Sequence, residues 1–198
     1  PGEHVDGNRF VAQAVAQGAA AVLTAQPDAG LSIPVLYDEN PRRALAELAG
    51  RFFAFRPECT VGITGTNGKT STAAFLRQFW TDAGLSAASL GTLGVVTQEF
   101  TRPINHTTPD PVTLHAVLRD LYARGIDHLA MEVSSHALAQ HRVDGLDCDV
   151  AGFTNLTRDH LDYHGDTARY FEAKTRLFTE ILKPGGVAVV QMRGPVAP

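Results

Sequence analysis

The chain has 198 residues, of which 44% are hydrophobic and 19% are charged, a balance typical of a globular protein with a sizeable core. The formal charge of −4 gives no broad attraction to polyphosphate backbones, so we expect no nucleic acid partner. No apolar run reaches the roughly 20 residues that cross a bilayer, and Cys59 and Cys148 match neither a disulfide framework nor a metal pattern. These features favour a cytoplasmic protein without membrane insertion.

The first part of the chain predicts a helix, two short strands and a second helix. The segment GNRFVAQAVAQGAAAVLTA carries apolar residues at helical spacing up to Gly18, and then an apolar run that ends at Ala25. A second apolar run, IPVLYD, precedes a helix that begins at Pro41. We place a domain boundary near Asp38. The second helix is predicted to bury one face, formed by Leu45, Leu48, Ala49 and Phe52.

From Thr60 onward, strand-like runs alternate with helical segments, which is the order expected for a mostly parallel sheet flanked by helices. The runs are TVGIT, SAASLGTLGVV, HLAMEVS, VAGFTNL and VAVVQM. One helix between them has Asp110 as its N-cap, Pro111 in its first turn and Gly125 at its end. Its predicted inward residues are Leu114, Val117, Leu118 and Leu121. The predicted fold class is therefore α/β.

The stretch VGITGTNGKTSTAAF looks like a phosphate-binding loop between a buried strand and a helix that begins at Lys69. Backbone N–H groups at such a turn converge on an anion, and the glycines Gly65 and Gly68 let the backbone approach it. Lys69 would reach the terminal phosphates of a nucleotide, and the Thr70 hydroxyl would ligate magnesium. The alternative is a glycine-rich turn that only packs a helix on the sheet. The helix is predicted to bury Ala73, Leu76, Phe79 and Trp80.

Polar side chains end the next two apolar strands. Glu132 ends one of them, and the following strand leads into Asn155, Asp159, His160 and Asp162. Because the carboxyl ends of the strands in an open α/β sheet form the ligand crevice, these residues are expected to face the nucleotide. The pair His160 and His164 would fit zinc, but without a nearby cysteine an oxygen-rich magnesium site with one histidine is more economical.

Lys174 lies on the apolar stripe of the last predicted helix, between Phe171 and Phe178. A lysine on such a face usually extends its charge to water. The other interpretation is that burial lowers the pKa of Lys174 and leaves a neutral, reactive amine. Reaction of that amine with carbon dioxide would give a carbamate anion, which could hold magnesium where an ammonium would repel it.

Six stretches together resemble the Mur ligases of peptidoglycan synthesis, in family order and spacing. They are GEHVDGNRF, GITGTNGKTST, TTPD, EVSSHALAQHRV, FTNLTRDHLDYHG and YFEAKTRLF. GTNGKT alone marks only a wider superfamily that includes folylpolyglutamate synthetases, whereas the combination is far more specific. The resemblance is strongest to the branch of the family that adds the third amino acid of the peptide.

The resemblance implies three groups of site residues. ATP would be bound by Gly65, Thr66, Asn67, Gly68, Lys69, Thr70 and Ser71. Magnesium would be held by Thr70, Glu132, His160 and Lys174 as its carbamate, and catalysis would rest on Lys69, Glu132, His160 and Lys174. The substrate UDP-N-acetylmuramoyl-L-alanyl-D-glutamate would contact Glu3, His4, Val5, Thr107, Thr108, Ser134, Gln140 and Arg142.

The implied reaction is ATP-dependent amide formation. ATP would phosphorylate the side-chain carboxylate of the D-glutamate residue, and the amine of meso-diaminopimelate or L-lysine would displace phosphate from the acyl phosphate. The family pattern implies a partial UDP-muramoyl-binding domain at residues 1–38 and an incomplete central ATPase domain at residues 39–198, which we expect to be truncated before its end. We expect the C-terminal amino-acid-binding domain to be absent, and the tail QMRGPVAP departs from the family.

Two alternatives to a catalytic Mur-type ligase remain open at the level of the sequence. One is a truncated, non-catalytic fragment that only binds nucleotide or the UDP-sugar. The other is a generic P-loop ATPase or a folate-type ligase, against which TTPD and EVSSHALAQHR argue.

Overall fold

The computed structural model describes residues 7–26 and 30–191. After a 3₁₀ turn, Gly7–Phe10, come helix α1 (Val11–Ala16) and two short strands, β1 (Val22–Thr24) and β2 (Val35–Tyr37). The strands pair in parallel as a small separate sheet. Helix α2 (Pro41–Phe53) follows, and its N-cap Asn40 accepts a hydrogen bond from the Arg43 N–H. The predicted helices and strands of this part are confirmed.

The buried face of α2 differs from the predicted one. Leu45 and Leu48 are exposed, and Phe52 is 79% exposed, whereas Ala46 and Ala49 are buried. A side-chain carbon added at Gly50 would lie 2.7 Å from the carbonyl oxygen of Gly145. The backbone of α2 at Gly50 therefore lies very close to the backbone at Gly145. Only small residues fit at this contact, so the larger side chains of α2 point outward.

A seven-stranded sheet forms the centre of the fold. In chain order its strands are β3 (Cys59–Thr64), β4 (Ala87–Gly91), β5 (Gly94–Val96), β6 (Thr101–Arg102), β7 (His128–Glu132), β8 (Cys148–Phe153) and β9 (Leu182–Val190). The spatial order is β6-β5-β4-β7-β3-β8-β9, and the strands from β4 to β9 in this order run parallel. The predicted run SAASLGTLGVV is two strands, because β4 and β5 form an antiparallel hairpin and β5 also pairs antiparallel with β6.

Five helices accompany this sheet. They are α3 (Lys69–Asp82), α4 (Pro111–Ala123), α5 (Ser135–Ala139), α6 (Leu161–His164) and α7 (Thr167–Arg176), which continues as a π-helical turn, Leu177–Ile181. Helix α4 is capped as predicted, since the Asp110 carboxylate accepts from the Thr113 N–H at 3.0 Å, and its four predicted inward residues are all buried. The predicted α/β fold, with a mostly parallel sheet flanked by helices, is confirmed.

The buried face of α3 is narrower than predicted. Ala73 is buried and Leu76 and Trp80 pack partly against the core, but Phe79 is 67% exposed. At about 100° per residue, Phe79 lies roughly 120° around the helix from Ala73, and so falls outside the stripe. The prediction for Phe79 was wrong for this reason.

The parallel strands bring their carboxyl ends to one edge of the sheet. Ile63 on β3 pairs with Glu132 on β7, and Thr64 pairs with Phe153 on β8. The residues that follow these strands therefore meet at one rim, as predicted for a ligand crevice. Within the described ranges, no helix is long and apolar enough to span a membrane.

Candidate active site

The turn between β3 and α3 depends on two glycines. Gly65 has φ +141° and Gly68 has φ +85°, a region that other residues rarely adopt. A side-chain carbon at Gly65 would lie 1.9 Å from Thr154 Oγ1, whereas one at Gly68 would stay 3.9 Å from the nearest atom. Gly65 is therefore required both by its conformation and by the close approach of the loop after β8.

The segment after β8 holds the glycine loop in place. Asn155 accepts the Thr66 N–H on its carbonyl oxygen at 2.9 Å and the Asn67 N–H on its side-chain oxygen at 3.0 Å. The Asn155 amide in turn donates to the Asn67 carbonyl at 3.1 Å. Helix α3 has no side-chain cap at Gly68, and the N–H groups of its first turn have no acceptor within the helix. These first-turn groups can bind an anion.

Lys69 and Lys174 converge on the same carbonyl oxygen. The Lys69 ammonium donates to the carbonyls of Gly65 at 2.9 Å and Thr66 at 2.8 Å. The Lys174 ammonium, which α7 supplies, also donates to the Gly65 carbonyl at 2.9 Å. The structure thus places two lysine side chains on one side of the loop.

Lys174 is enclosed by α7 and the loop. It is only 1% exposed, and its ammonium lies 4.4 Å from the centroid of the Tyr170 ring. Burial, together with the charge of Lys69, lowers the pKa of Lys174 to about 7, while the Asp159 carboxylate opposes the shift. Burial also lowers the pKa of Lys69, and the carboxylates of Glu132 and Asp159 oppose it. Lys174 is therefore buried and does not extend its charge to water, while the reactivity of its amine stays a prediction.

Glu132 lies buried beside the phosphate loop. Its Oε2 accepts the Thr70 hydroxyl at 2.8 Å, and its Oε1 accepts the Thr92 N–H at 2.8 Å. A side-chain carbon at Gly91 would lie 2.0 Å from Oε1, so only glycine leaves room for this carboxylate. Sequence reasoning missed Gly91 and Thr92. Their signal is a Gly-Thr pair at the end of an apolar run, at the same rim as Glu132.

The oxygen atoms around Thr70 fit a magnesium ion. A hydroxyl and a carboxylate lie side by side at the helix N-terminus, and Mg²⁺ prefers such oxygen ligands. His160 adopts a left-handed backbone conformation, with φ +51°. The centroid of its ring lies 4.8 Å from the centroid of the His136 ring. In the described part of the chain, no three His, Cys, Asp or Glu residues are grouped closely enough to hold a metal. The ligand set with Glu132, His160 and Lys174 therefore stays a prediction.

Five of the predicted substrate residues form a patch beside Glu132. Thr108 donates its hydroxyl to the Glu132 carbonyl at 2.9 Å and accepts the Ser134 N–H at 3.1 Å. Arg142 donates to the Thr108 carbonyl at 3.0 Å and to the Gln140 side chain at 2.8 Å. The hydroxyl groups of Thr107 and Thr92 lie 3.1 Å apart.

A cavity of about 680 Å³ opens beside Arg142 and His106. The predicted residues Glu3, His4 and Val5 lie outside the described residues.

The fold and this rim define an α/β protein with a phosphate loop between its third strand and the following helix. Residues 63–197 match the Mur ligase middle domain. The chain belongs to the Mur ligase family.

Three known proteins illustrate the similarity. The UDP-N-acetylmuramoyl-L-alanyl-D-glutamate--2,6-diaminopimelate ligase of Bradyrhizobium diazoefficiens is 48% identical over 96% of this chain and 39% of its own length. A solved structure of a ligase with the same name has a TM-score of 0.81 and 34% identity, over 92% of this chain and 37% of that one. MurF ligase from Thermotoga maritima, in complex with ADP, shares the fold with a TM-score of 0.63 and 24% identity, over 98% of this chain and 42% of its own. This chain spans about two fifths of the length of these proteins.

Proposed function

We propose that the chain belongs to an ATP-dependent ligase of peptidoglycan precursor synthesis that adds a diamino acid to UDP-N-acetylmuramoyl-L-alanyl-D-glutamate. The observation that carries the proposal is the position of Glu132 between two sets of residues. Its carboxylate accepts from Thr70 of the phosphate loop, and its carbonyl accepts from Thr108 of the substrate patch. A phosphoryl donor and a carboxylate acceptor would therefore be neighbours. The names of the relatives supply the substrates.

The phosphates of ATP would bind at the first turn of α3. The N–H groups of that turn supply hydrogen bonds, and the Lys69 ammonium supplies the charge that neutralises the terminal phosphate. Magnesium, when bound, would neutralise further charge on the transferred phosphoryl group, and Thr70 and Glu132 would hold it. Donors and charges fixed at the position where phosphoryl transfer develops negative charge would stabilise the transition state.

The reaction would proceed in two steps. The side-chain carboxylate of D-glutamate attacks the γ-phosphorus, the bond to the β–γ bridging oxygen breaks, and ADP leaves from the acyl phosphate. The amine of the diamino acid then attacks the acyl carbon and loses a proton to solvent, and phosphate leaves with the electron pair of the broken C–O bond as the amide forms. The protein positions and neutralises these groups, so no side-chain nucleophile is required.

Lys174 would be present as its carbamate. With a pKa of about 7, roughly half of its amines are neutral at pH 7, against about one in 3,000 for an ordinary lysine. A neutral amine attacks carbon dioxide, a C–N bond forms, and the ammonium proton is lost to solvent. The resulting anion would attract the Lys69 ammonium instead of repelling it, and would join Glu132 and His160 as a magnesium ligand.

Dipeptide-dependent ADP formation tests the proposal. The 198-residue chain is incubated with ATP, Mg²⁺ and UDP-N-acetylmuramoyl-L-alanyl-D-glutamate, and acyl phosphate is trapped by reduction with borohydride. We expect ADP and the reduced dipeptide to form in equal amounts. Binding of both ligands without ADP would favour the non-catalytic fragment instead. A response to dihydropteroate, with none to the UDP-dipeptide, would favour the folate-type ligase.

A further inference from the structure

His141 lies between two predicted substrate residues, Gln140 and Arg142, and its backbone is left-handed, with φ +58°. For a residue with a side chain, this conformation costs about 1 kcal/mol and persists only where the surroundings hold it. The interactions of the imidazole show what holds it.

Asn40 contacts one edge of the His141 ring. The Asn40 side-chain oxygen accepts the Arg43 N–H at 3.2 Å as the N-cap of α2, so the amide nitrogen faces the other way. That nitrogen lies 2.9 Å from His141 Nε2. An amide nitrogen only donates, so Asn40 donates to the ring in this contact. On the other side of the ring, His141 Nδ1 lies 3.0 Å from both Asp144 Oδ1 and Arg176 Nη2.

Asp144 and Arg176 together connect the imidazole to α7. The Asp144 carboxylate is 5% exposed, and its Oδ1 accepts from Arg176 Nη2 at 2.9 Å. A second nitrogen of Arg176 donates to the Leu138 carbonyl at the end of α5. Arg176 lies two residues after Lys174. The His141 ring therefore fastens the start of α2, the turn after α5 and the lysine-bearing helix to one another.

The turn at His141 brings its two neighbours together. Arg142 Nε donates to Gln140 Oε1 at 2.8 Å, and Arg142 Nη1 donates to the Thr108 carbonyl at 3.0 Å. From this geometry we infer that His141 is a positioning residue: held between Asn40 and Asp144, it maintains the left-handed turn that aligns Gln140 and Arg142 for the UDP-muramoyl dipeptide. The inference rests on the proposed function, because it takes these two residues as substrate contacts.

Calorimetric titration of the 198-residue chain with the UDP-dipeptide and, separately, with Mg-ATP tests this role. We expect His141→Ala to weaken dipeptide binding about 10-fold, since a partly buried hydrogen-bond network and the turn are both lost. The Kd for ATP should change less than 2-fold. His141→Asn, which tolerates the left-handed conformation and keeps a polar side chain, should recover most of the dipeptide affinity.

Asn40→Ser is a matched variant at the other end of the network. Serine keeps the N-cap oxygen but removes the amide that reaches His141, so dipeptide binding should weaken several-fold without a loss of helix capping. Unchanged dipeptide affinity in His141→Ala overturns the inference, and so does an equal loss of ATP affinity, which would indicate general destabilisation. If the wild-type chain itself binds no dipeptide, the proposed function fails and the inference falls with it.

Discussion

The phosphate loop around Lys69 and the middle of α7 around Lys174 offer a direct comparison. Both regions present a lysine to the Gly65 carbonyl oxygen at 2.9 Å. Lys69 is half-buried and lies near the Glu132 and Asp159 carboxylates, which favour its charged form. Lys174 is sealed beneath the loop against the Tyr170 ring, and its pKa is about 7.

The two lysines differ in the degree of enclosure: burial lowers the pKa of both, but Lys174 is sealed from water and its pKa is about 7. A lysine at the open side of a helix N-terminus stays a cation and can neutralise phosphate. A lysine that has lost its water becomes a neutral amine near neutral pH. The same carbonyl oxygen anchors both, so the loop conformation should affect both regions at once.

Gly65→Ala should produce the largest effect, because it disturbs the residue whose carbonyl oxygen accepts hydrogen bonds from both lysines. Its side-chain carbon would lie 1.9 Å from Thr154 Oγ1, so we expect a loss of stability on the order of 4 kcal/mol and no measurable ATP binding. Gly68→Ala is the matched control, since its φ is also positive but the added carbon would make only ordinary van der Waals contact with Thr154, and it should cost only about 1 kcal/mol. Urea unfolding measures both, and equal costs would show that the close approach at Gly65 is unimportant.

Lys69→Ala tests how much the lysine of the phosphate loop contributes to nucleotide binding. We expect the Kd for Mg-ATP to rise about 100-fold, the effect of losing a charge-assisted contact to phosphate. Lys183→Ala, which removes an exposed lysine paired with Asp149, should leave the Kd unchanged. Calorimetry with ATP gives both values, and similar affinities for wild type and Lys69→Ala would remove Lys69 from the phosphate site.

The pH dependence of stability sharpens the comparison at Lys174. The unfolded chain keeps the Lys174 proton to a pH near 10.5, whereas the folded chain releases it near 7. Between these values the unfolded state binds more protons, so stability rises with pH, by about 2 kcal/mol from pH 7 to pH 9. Chemical unfolding in CO₂-free buffer should show this rise in wild type but not in Lys174→Met. The same slope in both would mean that Lys174 titrates normally.

Glu132→Gln tests whether the carboxylate near Lys69 is a magnesium ligand. Of the four predictions, it has the smallest expected effect. Glutamine keeps the size of the side chain but loses its charge. The gain in ATP affinity on addition of Mg²⁺ should therefore be about 10-fold smaller than in wild type. Binding of ATP without metal should stay the same. Glu172→Gln, at an exposed position on α7, is the charge-matched control. An unchanged magnesium effect would exclude Glu132 as a ligand.

The sequence predicts well where one local rule decides the structure. The caps of α4, the glycines of the phosphate loop and the rim at the carboxyl ends of the strands all follow from such rules, and the structure has them. The burial of Lys174 could be stated only as one of two alternatives, because a lysine on an apolar stripe fits either.

Burial and backbone conformation are predicted poorly from the sequence where they depend on a close approach between distant segments of the chain. Large apolar residues on α2 point outward because Gly50 meets Gly145, and Gly91 makes room for a carboxylate 41 residues later in the chain. Neither contact leaves a periodic pattern in the sequence. His141 shows the same limit, since its conformation depends on Asn40, 101 residues earlier.

Carbon-13 NMR of the chain equilibrated with ¹³C-bicarbonate tests the central claim, that enclosure makes Lys174 a reactive amine while Lys69 stays a cation. The sequence contains three lysines, Lys69, Lys174 and Lys183, so single substitutions assign any carbamate signal. We expect one lysine carbamate signal in wild type, retained in Lys183→Ala and absent in Lys174→Met. A signal that persists in Lys174→Met, or no lysine carbamate in the folded wild-type chain, would contradict the account.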